Sequence, residues 1–99
     1  MPVQVVENWA LIKGKIVAIN PHGELDQYMS ATVAVTEVDS WDGYPNLFSW
    51  APGREITVNI PRAKADELSL SSGDLISARV RKAGPTSAFV DPDSLAKSG

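Results

Sequence analysis

The chain has 99 residues, a formal net charge of −3 and no cysteine. This length fits one domain, and a hydrophobic content of 43% is ordinary for a globular protein. The lack of cysteine excludes disulfides, thiolate nucleophiles and cysteine-based zinc sites. The acidic balance argues against binding nucleic acid through bulk charge, although it leaves room for a local basic face.

Targeting signals are not evident at the start of the chain. The opening residues, MPVQVVENW, lack a basic stretch followed by an apolar one, so a secretory signal is not predicted. No apolar run approaches the roughly 20 residues that cross a bilayer. We therefore expect a cytoplasmic protein with no membrane association.

Turn-forming residues divide the chain into five apolar segments, each typical of a strand. The strands are predicted at residues 9–19, 29–38, 55–60, 75–82 and 87–90. Apolar and polar residues alternate with a period of two in the second, third and fourth segments. Gly14, inside the first segment, indicates a bulge or a bend. The turn signals lie at residues 20–23, 40–53, 71–74 and 84–85.

Residues 62–70, RAKADELSL, predict a helix of about two turns between the third and fourth strands. Pro61 stands at a plausible first helical position, and Gly73 follows as a stop signal. A helix at this point matters for the fold, because the strands alone fit more than one kind of small barrel.

The order strand, strand, strand, helix, strand, strand predicts an all-β fold with small helical content, a five-stranded OB-type Greek-key barrel. The main alternative is an SH3-like barrel, which normally lacks a helix between the third and fourth strands. We expect residues 1–99 to form one OB-like domain with its core over about 8–91 and with flexible termini.

Three segments carry a resemblance to OB-fold single-stranded-DNA-binding proteins. They are the opening strand at 8–16 (NWALIKGKI), the strand at 31–38, and the pattern LSSGDLI at 70–76. The chain resembles this family over roughly residues 8–91, which implies a ligand lying across the second and third strands. The outward residues predicted there are small or polar and include no ring: Thr32, Ala34, Thr36, Thr57 and Asn59. OB barrels also bind proteins and sugars or serve as structural subunits, so fold alone does not determine function.

Four of the seven aromatic residues lie within ten positions, in a segment also rich in proline and glycine: Trp41, Tyr44, Phe48 and Trp50. We call residues 40–53 the aromatic loop. Exposed rings on a loop suit stacking on unpaired bases, or anchoring a protein partner. The alternative is that the loop folds back and its rings cap an open end of the barrel.

Four cations are predicted on neighbouring strands: Lys13 and Lys15 on the first, and Arg79 and Arg81 on the fourth. In an OB barrel these strands are adjacent, so the four side chains are candidates for one basic patch. The alternative is an ordinary solvated outer face. Arg54, beside the aromatic loop, is a further candidate for contacting phosphate.

Catalytic and metal-binding motifs are not evident. His22 is the one histidine, and its turn, with Glu24 and Asp26, is weak evidence for a metal site. No phosphate-binding glycine-rich loop or dinucleotide fingerprint is present. We therefore predict no enzymatic activity, no cofactor and no metal.

Two functional hypotheses remain from the sequence. The first is a single-stranded nucleic-acid-binding module that stacks bases on the aromatic loop and holds the phosphates with basic side chains. The second is a protein-interaction or assembly module, including a homo-oligomer, that uses the same loop as a hydrophobic anchor.

Overall fold

Five strands close into a barrel in the computed structural model, which describes residues 7–84 and 87–98. The strands are β1 (Ala10–Pro21), β2 (Tyr28–Ser40), β3 (Glu55–Pro61), β4 (Leu75–Lys82) and β5 (Ala88–Val90). Their order is β1-β2-β3-β5-β4, and the pairing of β1 with β4 closes the barrel. The pairings are antiparallel except that of β3 with β5, so this is the predicted OB-type arrangement. Each strand boundary lies within two residues of its prediction.

The long strand β1 serves both halves of the barrel because it is bent. It pairs with β2 along its whole length and with β4 over Ala10 to Lys15. Its register against β2 shifts between Lys13 and Gly14, which confirms the predicted bulge. A Cβ atom at Gly14 would lie 2.5 Å from the backbone oxygen of Ala34, so this close approach of two strands requires glycine.

The core is formed by the inward residues of the alternating strands. The largest fully buried apolar side chains are Ile12, Ile16, Val33, Val58, Ile60 and Val80. Phe48 and Ala51, which precede β3 in the chain, are also buried in this core. Ala65 of the helix joins it just after the other end of β3, so loop and helix enter the core at opposite ends of that strand.

The helix α1 (Arg62–Glu67) lies between β3 and β4, which favours the OB-type barrel over the SH3-like alternative. It is shorter than the predicted 62–70, and Pro61 is its N-cap rather than its first residue. Ser69 takes a φ of 50°. The N–H of Ser69 donates to Asp66, and that of Leu70 donates to Ala65, as in a Schellman motif. This motif ends the helix before Gly73 is reached.

Residues 92–98, which lie beyond the predicted core and in the terminus expected to be flexible, form regular secondary structure. A 3₁₀ helix (Pro92–Ser94) leads into β6 (Ala96–Ser98), which pairs with β4 beside β5. Sequence analysis did not predict β6. Residues 1–6 and 99, predicted to be flexible, and Pro85 of the predicted turn lie outside the described residues. In the part of the chain that the structure describes, no helix is long and apolar enough to cross a membrane.

Candidate binding surface

The aromatic loop folds back in part. Phe48 is only 3% exposed and packs in the core, so the capping interpretation holds for this ring. Its N–H donates to Oδ1 of Asn46 at 2.9 Å, which fixes the local turn. Tyr44 is half-buried, and its N–H donates to the Trp41 carbonyl. Phe48, predicted as a binding residue, is therefore not available to stack on a ligand.

Trp50 is the exposed ring of the aromatic loop. Its side chain is 51% exposed and lies next to Leu47, which is 39% exposed. The indole Nε1 donates to the Leu47 carbonyl at 2.9 Å and holds the ring in place. Trp50 also lines a cleft of about 260 Å³, together with Phe48, residues 55–57 of β3, and Lys82 and Ala88.

Trp41 belongs to a different group, which we call the Arg79 cluster: Trp9, Trp41, Arg79 and Asp91. The Arg79 guanidinium carbon lies 4.7 Å from the Trp41 ring centre and 5.9 Å from that of Trp9. The same guanidinium forms an ion pair with the Asp91 carboxylate. The two predicted site residues Trp41 and Arg79 are thus brought together, but with a carboxylate that compensates the cation. Sequence analysis missed Trp9 and Asp91 as members.

The basic residues of β1 and β4 lie on adjacent strands, as predicted, without forming one free patch. Lys13 lies 3.6 Å from Glu37 on β2. Lys15 is exposed and stands opposite Leu75, at the start of β4. Arg81 is exposed near the other end of β4.

Among the described residues, neither Lys15 nor Arg81 forms an ion pair, and the same holds for the exposed Arg54 that precedes β3. Three of the predicted phosphate contacts are therefore uncompensated. They lie on different parts of the barrel, and of the three Arg81 alone has an aromatic ring beneath it.

A line of outward residues crosses four strands of the barrel. Ser30 on β2 is opposite Asn59 on β3, Asn59 is opposite Phe89 on β5, and Phe89 is opposite Arg81 on β4. Each of the four has a buried core residue next to it on its strand, so all four face outward. We call Ser30, Asn59, Phe89 and Arg81 the outer row.

Two rings and a cation meet on this row. Phe89 makes an edge-to-face contact with Tyr28, with ring centres 5.4 Å apart and planes at 80°. The Arg81 guanidinium carbon lies 5.6 Å from the centre of the Phe89 ring, a cation–π distance. The arrangement presents apolar ring surface beside a donor-rich cation, which suits a ligand that is planar in one part and anionic in another.

Sequence analysis named Arg81 but missed Tyr28 and Phe89. The five positions predicted to face outward on the second and third strands, none of which carries a ring, alternate with buried core residues in the structure. The rings come from the first residue of β2 and from the neighbouring strand β5. The signal that finds them is the register, which is not visible before the barrel is assembled.

His22 has a local structural role. Its Nδ1 accepts hydrogen bonds from the N–H groups of Glu24 and Leu25 at 3.0 and 2.9 Å, which closes the turn before β2. Within residues 7–84 and 87–98, no group of three histidine or acidic side chains is placed to hold a metal ion. Asp91, for its part, accepts from the N–H of Asp93 and caps the 3₁₀ helix.

No family model matches the chain, and no curated protein matches its sequence.

Proposed function

We propose that the protein is a non-catalytic module that binds single-stranded nucleic acid on the outer row, with Trp50 providing a further stacking surface. The observation that carries this proposal is the placement of Arg81. The exposed Arg81 side chain has its guanidinium over Phe89, a half-buried ring that also contacts Tyr28. No acidic side chain of the described residues compensates it.

The chemistry of this surface matches unpaired nucleotides. Each base offers a flat π face, and stacking on an aromatic side chain contributes about 1–3 kcal/mol per base. A guanidinium without a carboxylate partner is free to donate two parallel hydrogen bonds to a phosphate. Both requirements are met within one pair of residues, Phe89 and Arg81.

The dimensions suit a short oligonucleotide. Thr57 lines the cleft beside Trp50, and Pro61, four residues further along β3, pairs with Tyr28. Four residues of strand span about 13 Å. This is the length of strand between the residue beside Trp50 and the residue paired with Tyr28, and a few nucleotides bridge such a distance. The resemblance to OB-fold single-stranded-DNA-binding proteins also supports this proposal.

The test is a titration of a labelled thymidine oligomer of about twelve nucleotides, followed by fluorescence anisotropy at low salt and at ~0.2 M salt. We expect saturable binding that weakens steeply with salt. Arg81→Glu should weaken it at least tenfold, whereas Lys15→Glu should leave it nearly unchanged. The two variants change the net charge equally, and Lys15 lies away from the row.

Two outcomes would contradict the proposal. A wild-type protein that does not bind at low salt excludes nucleic-acid binding altogether. Equal losses in Arg81→Glu and Lys15→Glu show that only net charge matters, so the outer row is not the site.

A second candidate function is protein interaction or self-assembly through Leu47 and Trp50. It is favoured by the adjacent exposure of these two large apolar side chains, since tryptophan at an apolar patch is a common interface anchor. Sedimentation over a range of concentrations tests self-assembly. Association that disappears in Trp50→Ser supports it, whereas a monomer at every concentration argues against a homo-oligomer.

A further inference from the structure

Asn59, at the centre of the outer row, has an amide without a protein partner. The residue is 8% exposed, one of two buried polar or charged residues in the described chain. Its side chain makes no hydrogen bond to any described residue. No fully enclosed side-chain nitrogen or oxygen of the described residues lacks a partner. The amide atoms of Asn59 therefore reach the surface, although most of the residue is covered.

The amide lies between the side chains of its two neighbours on the outer row. Ser30 stands opposite Asn59 on one side and Phe89 on the other. Tyr28, two residues before Ser30 on the same face, has its ring against Phe89. A planar group that stacks on either ring is thereby brought beside a donor and an acceptor that no protein group uses.

We propose that Asn59 is the specificity-determining residue of this surface and that it selects adenine by pairing with the N6/N7 edge of the base. This inference rests on the proposed function. Asn59 Oδ1 accepts from the adenine N6 amino group, and Asn59 Nδ2 donates to adenine N7. An asparagine amide presents these groups side by side, which is why it pairs with adenine in two hydrogen bonds.

The other bases fail on that edge for stated reasons. Guanine presents two acceptors, N7 and O6, so the amide oxygen of Asn59 faces an acceptor. Thymine presents one acceptor beside a methyl group, and cytosine presents a lone donor. On the N7 edge, adenine is the one base that satisfies both groups of the amide at once. An unpaired base also presents its Watson–Crick edge, where every base has a donor beside an acceptor, so a preference for adenine requires that Asn59 meets the N7 edge.

A binding role and a structural role for Asn59 predict different effects on stability. If Asn59 serves binding, replacing this covered polar group should leave the folded protein equally or more stable, because no hydrogen bond within the protein is lost. If Asn59 serves the fold, the same replacement should lower the stability. Leucine matches asparagine in shape and has no amide, so Asn59→Leu separates the two roles. Asn59→Thr is a second variant, since threonine suits an outward strand position.

The experiment compares two labelled 12-mers: all-thymidine, and the same oligomer with its four central thymidines replaced by adenine. We expect the wild-type protein to bind the adenine-containing oligomer roughly tenfold more tightly. Both Asn59 variants should lose this preference and bind the two oligomers equally, with a thermal midpoint no lower than that of the wild type. If Asn59→Leu fails to fold, Asn59→Thr decides.

The outcomes separate the inference from the proposed function. Equal wild-type affinities for the two oligomers overturn the adenine reading and leave nucleic-acid binding intact. A preference that survives both variants overturns the role of Asn59. Parallel loss of stability and of both affinities assigns Asn59 a structural role and also overturns it. Binding of neither oligomer removes the proposed function, and the inference with it.

Discussion

Two arginines on one face of β4 have opposite surroundings. Arg79 lies against Trp41 and Trp9 and is paired with Asp91, whereas Arg81 lies against Phe89 with no acidic partner in the described chain. A cation beside a ring is therefore not by itself a sign of a ligand site. A carboxylate partner distinguishes the two arginines, because a guanidinium that is paired with a carboxylate already has its strongest partner.

The backbone around the Arg79 cluster shows what that pairing does. The N–H of Arg79 donates to Oγ of Ser94 at 2.8 Å, and the N–H of Asp91 donates to the Arg79 carbonyl at 2.9 Å. The ion pair and these bonds join β4 to the 3₁₀ helix. The Arg79 cluster is thus a structural tie, whereas the outer row leaves its cation available.

The largest expected effect comes from a change in the barrel that supports both arginines. In Gly14→Ala the new Cβ would lie 2.5 Å from the backbone oxygen of Ala34, so β1 and β2 must move apart. We expect a loss of about 3 kcal/mol in the free energy of unfolding, measured in urea. Because β1 also pairs with β4 from Leu75 to Val80, a displacement of β1 reaches the strand that carries both arginines.

The matched control for Gly14→Ala is Gly23→Ala, whose added Cβ has no atom within 4 Å. Its free energy of unfolding should change by no more than about 0.5 kcal/mol. Equal stabilities of the two variants would show that β1 does not need the close approach at Gly14.

The next largest effect separates the two arginines. Arg79→Met leaves the Asp91 carboxylate, whose side chain is 19% exposed, without its ion-pair partner, and should lower the free energy of unfolding by about 2 kcal/mol. Arg81→Met removes no ion pair and should change it by less than about 0.5 kcal/mol while weakening oligonucleotide binding. Urea unfolding of both variants checks this, and similar losses of stability would contradict the comparison.

How far the sequence predicts these elements depends on the kind of signal. Alternation of Ile76, Ala78 and Val80 with polar residues predicts β4 to the residue, because a half-buried strand imposes that period. The predicted end of α1 is wrong. The helix ends earlier because Ser69 adopts a positive φ, which non-glycine residues seldom take. The strand β6 is missed because all three of its residues are exposed and leave no apolar pattern.

The two arginine environments are less accessible from sequence for a different reason. Asp91 lies twelve residues from Arg79, and Phe89 meets Asn59 only through the register of β5 against β3. Such pairings follow from how the barrel closes and not from local composition. The sequence shows the aromatic loop as a cluster of rings. It does not show that the rings separate in the fold, with Phe48 buried, Trp41 against Arg79 and Trp50 exposed.

A smaller effect converts one environment toward the other. Asp91→Asn keeps the side-chain acceptor for the N–H of Asp93 but removes the charge that compensates Arg79. We expect a loss of about 1 kcal/mol in stability and a several-fold gain in oligonucleotide affinity, because the guanidinium becomes available. Asp93→Asn is the control, as it changes the net charge equally without freeing Arg79. A similar gain in that control would mean that net charge, and not Arg79, is responsible.

The smallest effect is a pH dependence at the other end of β4, away from both arginines. The N–H of Ser71 donates to the Asp74 carboxylate at 2.8 Å, and Nζ of Lys97 in β6 lies 3.5 Å from the same carboxylate. The hydrogen bond from Ser71 and the charge of Lys97 hold the pKa of Asp74 below its ordinary value of 3.8. A lowered pKa means that the charged carboxylate stabilises the fold at pH above 3.8, and that this contribution is lost as the pH falls through the lower folded value. The NMR signal of the Ser71 N–H should therefore shift with a midpoint below 3.8. Asp74→Asn should abolish that shift.

The outer row serves as the control, because it contains no carboxylate. The ring signals of Phe89 should therefore stay constant over the same pH range. If the Phe89 and Ser71 signals moved together, the two ends of β4 would respond as one unit.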